Sequence, residues 1–141
     1  MKAIELDNLK IEGIIEPAIL NYFESFNAGK FTSTANLFAR SGAIHPPFES
    51  SVVGKEAIAL YLKKEADGMI LYPQQGTREK LLDRNIRFEV VGKVKTATFS
   101  VNVAWQFILN PEREILHVQI KLLASLQELL KLRPEGKQLS L

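Results

Sequence analysis

The chain has 141 residues, the length of a single domain, and contains no cysteine, which excludes disulfides, thiolate catalysis and cysteine-ligated metal sites. Its 18 basic and 16 acidic residues are interspersed and leave a formal charge of +2, which indicates no nucleic-acid partner. No apolar run approaches the roughly 20 residues of a membrane-spanning helix, and the first residues lack a signal-peptide core. These features predict a soluble, cytoplasmic, single-domain protein extending over residues 1–141.

The first half of the chain has the hydrophobic periodicity of helices. A first helix is predicted to begin at Glu16 and Pro17, because proline suits the first helical position. It is predicted to stop at Gly29, since glycine commonly follows the last turn of a helix. One face of this helix is apolar and carries residues spaced by three and four positions: Ile19, Tyr22, Phe23 and Phe26.

Two further helices are predicted, separated by a segment with two adjacent prolines. The second helix is short, ends before Gly42, and has an apolar face made of Phe31, Ala35 and Phe38. Residues 44–48 contain both prolines and cannot be helical, because each proline removes a backbone donor and clashes with the preceding turn. The third helix lies between Gly54 and Gly68, and one of its sides carries Ile58, Tyr61, Leu62 and Glu65.

After Gly68 the hydrophobic period becomes two, which is typical of antiparallel strands with one face in the core and one in water. In the last of these strands, Leu116 falls in the inward phase, whereas Ile115 and His117 fall in the outward phase. The turn before that strand begins with Asn-Pro, a pair that favours turns. The predicted strands cover residues 86–96, 99–110 and 115–122, with the turn at 110–113.

Helices followed by strands predict an α+β fold. We expect a cone-shaped, curved antiparallel sheet packed against three N-terminal helices, with an apolar cavity between the layers; a flat two-layer sandwich is the alternative. A short C-terminal helix is predicted to begin at Ser125, which can form a capping box with Glu128. Residues 1–10 are interpreted as an N-terminal extension and residues 134–141 as a mobile tail.

The side chains predicted to face the cavity include no acid and no histidine, so general acid–base catalysis lacks a titratable group there. His45 is interpreted as a loop residue and His117 as a surface residue, and neither has a partner at metal-ligand spacing. We therefore predict no metal site and no catalytic residue. The inward positions are Tyr22, Phe26, Val94, Phe99, Val103, Trp105, Phe107, Ile120 and Leu122.

Two of these inward residues, Tyr22 and Trp105, carry hydrogen-bond donors. A donor on an apolar wall can orient a ligand inside a cavity. Buried tyrosine and tryptophan side chains more often find a backbone partner instead. Periodicity alone leaves both interpretations open.

Seven short blocks occur along the chain: Ile11-Glu12-Gly13-Ile14, Leu20-Asn21-Tyr22, Pro46-Pro47-Phe48, Val53-Gly54-Lys55-Glu56, Gly92-Lys93-Val94-Lys95-Thr96, Asn102-Val103-Ala104-Trp105 and Leu122-Leu123-Ala124-Ser125. In order and spacing they resemble the C-terminal domain of the cyanobacterial orange carotenoid protein family, from about Ile11 to Arg133. That family has a nuclear transport factor two-like fold, which agrees with the predicted cone. Because no helical carotenoid-binding domain precedes this region, we expect a free-standing homologue of that domain.

The resemblance implies a ligand and a role for each donor. In the family, a tyrosine on the first helix and a tryptophan on a central strand donate hydrogen bonds to the keto oxygen of a carotenoid ring, and Tyr22 and Trp105 match them. The implied ligand is a keto-carotenoid, either canthaxanthin or echinenone. The resemblance places the walls of an apolar tunnel at Phe26, Met69, Leu71, Val94, Phe107, Ile120 and Leu122.

The function implied by the resemblance is a carotenoid carrier rather than an enzyme, with photoprotection as an additional role. Such a carrier takes pigment from membranes by transient contact and delivers it to helical carotenoid proteins, and we expect a homodimer when pigment is bound. Three departures from the family matter. Thr98 stands before Phe99 where light-responsive relatives have a tryptophan, and the hairpin to Asn102 is shorter, which is expected to alter the tunnel mouth. The missing cysteine makes redox-controlled dimerisation unexpected.

Two other functions stay open on this fold, since a fold does not determine a function. One is an isomerase or dehydratase for small apolar substrates, and the other is a dimerisation module. The absence of an acid or histidine among the inward positions favours binding over catalysis. A pure dimerisation module predicts a filled cavity.

Overall fold

The computed structural model describes residues 9–123 as three helices and six strands. Within this range no helix is long and apolar enough to cross a bilayer. The predicted C-terminal helix at Ser125 and Glu128, the predicted tail at 134–141 and most of the predicted extension lie outside the described residues. The elements are α1 (Pro17–Asn27), α2 (Phe31–Ala35), β1 (Phe38–His45), β2 (Val52–Val53), α3 (Lys55–Glu65), β3 (Ile70–Lys80), β4 (Ile86–Lys95), β5 (Ser100–Leu109) and β6 (Ile115–Leu123).

The six strands form one curved sheet in the order β2-β1-β6-β5-β4-β3. The predicted α+β cone is confirmed, with the core lying between the helices and the inward face of the sheet. One pairing departs from the antiparallel prediction, because β1 runs parallel to β6. Strand β1 thus lies between β2, its antiparallel neighbour in sequence, and β6, the last strand of the described chain.

Helix α1 forms as predicted and presents its apolar face to the sheet. Pro17 occupies the first turn, and the carboxylate of Glu16 accepts a hydrogen bond from the backbone N–H of Ala18 at 3.3 Å. This carboxylate is buried and also forms an ion pair with Arg113 in the β5–β6 turn. The helix ends at Asn27, just before Gly29, whose φ of +75° lies in the left-handed region that glycine favours. The start of α1 is therefore tied to the turn between the last two strands.

Phe38 was predicted on the second helix, and this prediction is wrong. Helix α2 ends at Ala35, and Phe38 is the first residue of β1, where its side chain is fully buried. The register between β1 and β6 shifts between Phe38 and Ala43, which interrupts the alternation that identifies a strand. Gly42 lies at this irregularity, where a Cβ atom would stand 2.7 Å from the carbonyl oxygen of Ile115.

A second irregularity reverses two predicted orientations at the start of β6. Leu109 pairs with Ile115, whereas Ile108 pairs with His117, so Leu116 is an extra residue in the ladder. Ile115 is consequently buried in the core and Leu116 is only partly buried, the opposite of the prediction. From Val118 onward the predicted inward phase holds, because a bulge changes the phase only locally.

Strand β3 lies at one edge of the sheet and was not predicted as a strand. The side chain of Asn27 binds both backbone groups of Leu71, donating to its carbonyl oxygen and accepting from its N–H, each at 2.8 Å. Farther along the same edge, the Glu12 N–H donates to Gln74 at 3.1 Å, and the Glu12 carbonyl oxygen accepts from the Gly76 N–H at 2.8 Å. These contacts attach α1 and the N-terminal segment to the free edge of β3.

Candidate ligand-binding cavity

An almost wholly apolar cavity of about 320 Å³ lies between α1, α3 and the concave face of the sheet. This volume is at the lower end of the range for small-molecule pockets. The cavity is open at one end, where the loop after β1 meets the β4–β5 hairpin. Both predicted donors and six of the predicted wall residues line it: Tyr22, Trp105, Phe26, Met69, Leu71, Val94, Ile120 and Leu122.

Tyr22 and Trp105 reach this cavity from opposite layers, one from helix α1 and one from strand β5. Both side chains are about 99% buried, yet within residues 9–123 neither the Tyr22 hydroxyl nor the Trp105 indole N–H has a hydrogen-bond partner. Neither polar atom is sealed inside the core, and the cavity is the open space beside both residues. Unpartnered donors at such a position are available to a ligand acceptor.

The Tyr22 hydroxyl stays protonated over the whole physiological pH range. Burial in the apolar interior is the main cause that raises the pKa of Tyr22 above its ordinary value, and Tyr61 adds a smaller contribution. The indole N–H of Trp105 is a donor only. Both residues can therefore donate a hydrogen bond to a ligand in the cavity, and the Tyr22 hydroxyl can also accept one. Two donors suit a ligand oxygen such as that of a ketone.

Phe107, predicted as a wall residue, does not line the cavity. Its ring is fully buried behind Tyr22, which it meets edge to face with the ring centroids 5.1 Å apart. The inward phase of β5 was correctly predicted, but Phe107 packs against the ring of Tyr22 and is not among the residues that line the cavity. Phe107 supports a donor rather than forming the wall.

The open end of the cavity is surrounded by exposed apolar side chains. Phe99 and Leu122, both predicted to face inward, do line the cavity but are 57% and 47% exposed. Phe48, in the loop after β1, is 94% exposed and has a φ of +63°, a backbone conformation uncommon outside glycine. The fold thus holds a ring of apolar surface in water around the mouth, as expected of a binding site that is completed by another molecule.

The loop after β1 and helix α3 contribute cavity residues that were not predicted from the sequence. Tyr61 lines the cavity and donates a hydrogen bond to Glu49 at 3.1 Å, which links the loop to the helix; burial, followed by Glu49 and Glu65, raises the pKa of Tyr61 to about 12. Glu65 also lines the cavity, contrary to the prediction that no acid would, and it is exposed at the rim. Its position on one side of α3 with Tyr61 and Leu62 was the available signal.

The other candidate site residues lie away from the cavity. His45 is the last residue of β1, not a loop residue, and its imidazole hydrogen-bonds with the hydroxyl of Ser51. His117 lies on the outward face of β6 as predicted, with its ring next to that of His45. In the described part of the chain, no group of three or more acids or histidines is arranged to hold a metal ion.

Comparison with known proteins identifies the family. Residues 15–124 match the nuclear transport factor 2 (NTF2) domain. The chain belongs to the NTF2 family. The predicted nuclear transport factor two-like fold is therefore confirmed, and the cavity described above lies inside an NTF2 domain.

Within that family, this NTF2 domain is a homologue of the C-terminal domain of orange carotenoid protein, as the sequence blocks suggested. It is 39% identical over 128 residues to the orange carotenoid-binding protein of Limnospira maxima and 40% identical over 126 residues to that of Synechocystis. The alignments cover 88% and 86% of the chain. In each case the chain spans only about 40% of the relative's length.

Solved structures give the same result for the fold. The NTF2 domain superposes with a TM-score of 0.80 on the canthaxanthin-binding orange carotenoid protein of Anabaena (Nostoc) sp. PCC 7120, at 40% identity over 87% of this chain and 40% of that one. A polyketide cyclase-like protein of Sinorhizobium meliloti, at 15% identity and a TM-score of 0.65, shares the fold alone.

Proposed function

We propose that this protein binds one end ring of a keto-carotenoid in the cavity, with Tyr22 and Trp105 donating hydrogen bonds to the keto oxygen. The observation that carries the proposal is the pair of donors, on the almost completely buried Tyr22 and Trp105, that line an otherwise apolar cavity. The canthaxanthin-binding relative from Anabaena supports the ligand class. The proposed walls are the six predicted residues that line the cavity, with Phe107 supporting Tyr22 from behind.

The size of the cavity supports partial rather than complete enclosure of the pigment. A chain of this length has a radius of gyration of roughly 14 Å when folded. A cavity of about 320 Å³ has room for a ring and a short stretch of polyene, and its open mouth lets the remainder leave. The protruding polyene would meet the exposed rings of Phe48 and Phe99 first.

The apolar walls and the donors have different tasks in this proposal. Burying about 400 Å² of polyene surface contributes on the order of 10 kcal/mol to the binding free energy. Each neutral hydrogen bond contributes a net of only about 0.5–1.5 kcal/mol. The walls therefore provide most of the affinity, whereas Tyr22 and Trp105 select a ring with a keto group and set its orientation.

We infer the carrier role from the part of the pigment that protrudes from the cavity. A second copy of this chain offers an identical cavity for the other ring, so a two-fold homodimer around one pigment is the simplest closed arrangement. A helical carotenoid protein in place of one copy gives a transfer complex, and transient contact of the apolar rim with a membrane gives a route of uptake. We propose that this traffic takes place in the cytoplasm.

Binding is proposed rather than catalysis because the polar groups are unsuited to proton transfer. Tyr22 keeps its proton, and the indole of Trp105 has no accessible titration. Glu65 lines the cavity but is an exposed residue, whereas Tyr22 and Trp105 are almost completely buried. An isomerase or dehydratase needs a titratable group within hydrogen-bond reach of the reacting proton.

The test is expression in cells that make canthaxanthin or echinenone, followed by purification and absorption spectroscopy. We expect a coloured protein with absorption shifted to the red relative to free pigment. Cells that make only β-carotene, which has the same polyene without a keto oxygen, are the matched control and should yield much less pigmented protein. Colourless protein from the keto-carotenoid cells, with the pigment left in their membranes, would contradict the proposal.

A further inference from the structure

The two histidines of the protein, far apart in sequence, meet on the outer face of the sheet. His45 ends β1 and His117 lies in β6, and these strands are parallel neighbours. The ring centroids are 5.3 Å apart with an angle of 81° between the ring planes. Ile44 lines the cavity and alternate residues of a strand face opposite sides, so the histidine pair lies on the side of the sheet away from the cavity.

Both rings have nitrogen atoms free to act as ligands. The Nδ1 atom of His117 is enclosed and has no hydrogen-bond partner among residues 9–123. The Nδ1 atom of His45 is occupied by the hydroxyl of Ser51, which leaves its Nε2 atom available. An imidazole nitrogen without a hydrogen-bond partner offers the lone pair that a metal ion needs.

The separation of the rings matches that of two imidazoles on one ion. A nitrogen–metal bond of about 2.0–2.1 Å plus a ring radius of about 1 Å places each centroid about 3 Å from the metal. Two such rings at a tetrahedral angle have centroids about 5 Å apart. The observed separation of 5.3 Å is close to this value, so rotation of the two side chains brings one nitrogen of each ring to a common ion without a change in the backbone.

We propose that His45 and His117 form a two-histidine site for a divalent transition-metal ion. Imidazole suits borderline ions, and Cu²⁺ should bind most tightly among the divalent first-row metals. The hydroxyl of Ser51 orients the His45 ring, as residues behind metal-bound histidines commonly do. Because no third acid or histidine joins the pair in the described part of the chain, water completes the coordination. The bound ion bridges β1 and β6, the one parallel junction of the sheet.

The composition of the chain makes the test clean. The full sequence has two histidines and no cysteine, so a bis-imidazole signal can come only from this pair. The full-length, pigment-free protein is titrated with Cu²⁺ at neutral pH and measured by calorimetry and electron paramagnetic resonance. We expect one equivalent of bound Cu²⁺, with hyperfine structure from two imidazole nitrogens.

The variants are His45→Asn and His117→Asn, with Gln119→Ala on the same strand face as the matched control. Losing even a residue that only supports a ligand typically costs about 10–100-fold in metal affinity, so each histidine variant should weaken Cu²⁺ binding at least about tenfold. The control should bind like the parent. Thermal unfolding gives an independent readout, since Cu²⁺ should raise the Tm of the parent and the control but of neither histidine variant.

Two results would overturn this proposal. One is a signal with a single imidazole nitrogen in the parent, and the other is unchanged Cu²⁺ affinity in both histidine variants. The two histidine side chains lie outside the hydrophobic core, so we expect both variants to fold. Unfolding curves recorded without metal check this. Neither result depends on whether the cavity binds a carotenoid, so the two proposals stand or fall separately.

Discussion

The ring of Phe23 meets the indole of Trp105 edge to face, with the ring centroids 4.8 Å apart. Phe23 contacts the ring of Tyr22 in the same manner at 5.3 Å. One fully buried phenylalanine thus packs against both donors of the cavity, although it does not line the cavity itself. Such edge-to-face contacts fix ring orientation, so the two donors are held in place before a ligand arrives.

The hydrogen-bond donors of Tyr22 and Trp105 can each be removed by a substitution to phenylalanine, which keeps an aromatic ring at the position. Tyr22→Phe and Trp105→Phe should keep the fold and weaken pigment binding about tenfold or less, because each loses one hydrogen bond of about 0.5–1.5 kcal/mol. The absorption maximum should move to shorter wavelength. Tyr72→Phe, at an exposed tyrosine outside the cavity, is the matched control. Spectra and pigment yields identical to the parent in both donor variants would refute the hydrogen-bonding role.

Phe107 and Leu122 should separate stability from binding. Phe107→Ala removes a fully buried ring and should lower the free energy of unfolding by about 3–5 kcal/mol. Leu122→Ala, at a half-exposed wall position, should cost about 1 kcal/mol or less in stability but reduce the pigment retained. Urea unfolding of the pigment-free proteins and the absorbance of pigmented preparations measure the two effects. The opposite pattern would show that Phe107, not Leu122, forms the wall.

The pigmented protein should be a homodimer and the pigment-free protein a smaller species. Because the sequence contains no cysteine, the dimer should be reversible and insensitive to reductant. Size-exclusion chromatography with light scattering on both forms, with and without dithiothreitol, measures the mass. A pigmented species with the mass of one chain would contradict the shared-cavity arrangement while leaving pigment binding itself intact.

Because of the histidine pair, we expect the free energy of unfolding to decrease in mild acid. An unfolded histidine titrates near pH 6.5, whereas the pKa of His117 in the folded protein is lower, mainly because of burial. As the pH falls through about 6.5, the unfolded chain takes up the proton first, so the free energy of unfolding decreases toward the lower folded pKa. Above about pH 7.5 this group should cause no further change.

His117→Asn should remove this acid-dependent loss, as measured by urea unfolding at about pH 7.5 and about pH 5. His45→Asn should retain most of it, because His45 is the smaller cause of the shift. If the parent and His117→Asn lose the same stability over this interval, the histidine is not responsible.

The elements predicted correctly are those whose signals are local. Helix α1 has a proline at its start, a glycine after its end and an apolar face between them, and all three signals lie within one segment. Trp105 was placed correctly because the larger apolar residues of β5 recur at every second position and its register with β4 is unbroken. Strand β1 was missed since the irregularity at Gly42 breaks its alternation. Strand β3 was missed because it is an edge strand with a proline and mostly exposed residues.

The parts of the site that could not be predicted depend on long-range pairing. The parallel junction of β1 and β6 brings His45 beside His117, and no local period contains that information. The same holds for Phe107, whose inward phase was clear but whose exclusion from the cavity depends on where the ring of Tyr22 lies. The alternation along a strand shows which side of the sheet a residue faces. Whether its side chain reaches a ligand depends on how the neighbouring side chains pack around the cavity.

The contacts along β3 bear on the proposed pairing of two copies of this chain. An exposed edge strand is a template for strand addition by another chain. Here the side chain of Asn27 hydrogen-bonds with the backbone of Leu71, and Pro73 has no N–H. The backbone of Glu12 hydrogen-bonds with the backbone of Gln74 and Gly76. The remainder of the strand, Thr77–Lys80, is exposed and carries three charged side chains. The contacts of Asn27 and Glu12 therefore hinder continuation of the sheet across residues 71–76 into another chain, which favours the apolar cavity mouth for the proposed pairing of two copies.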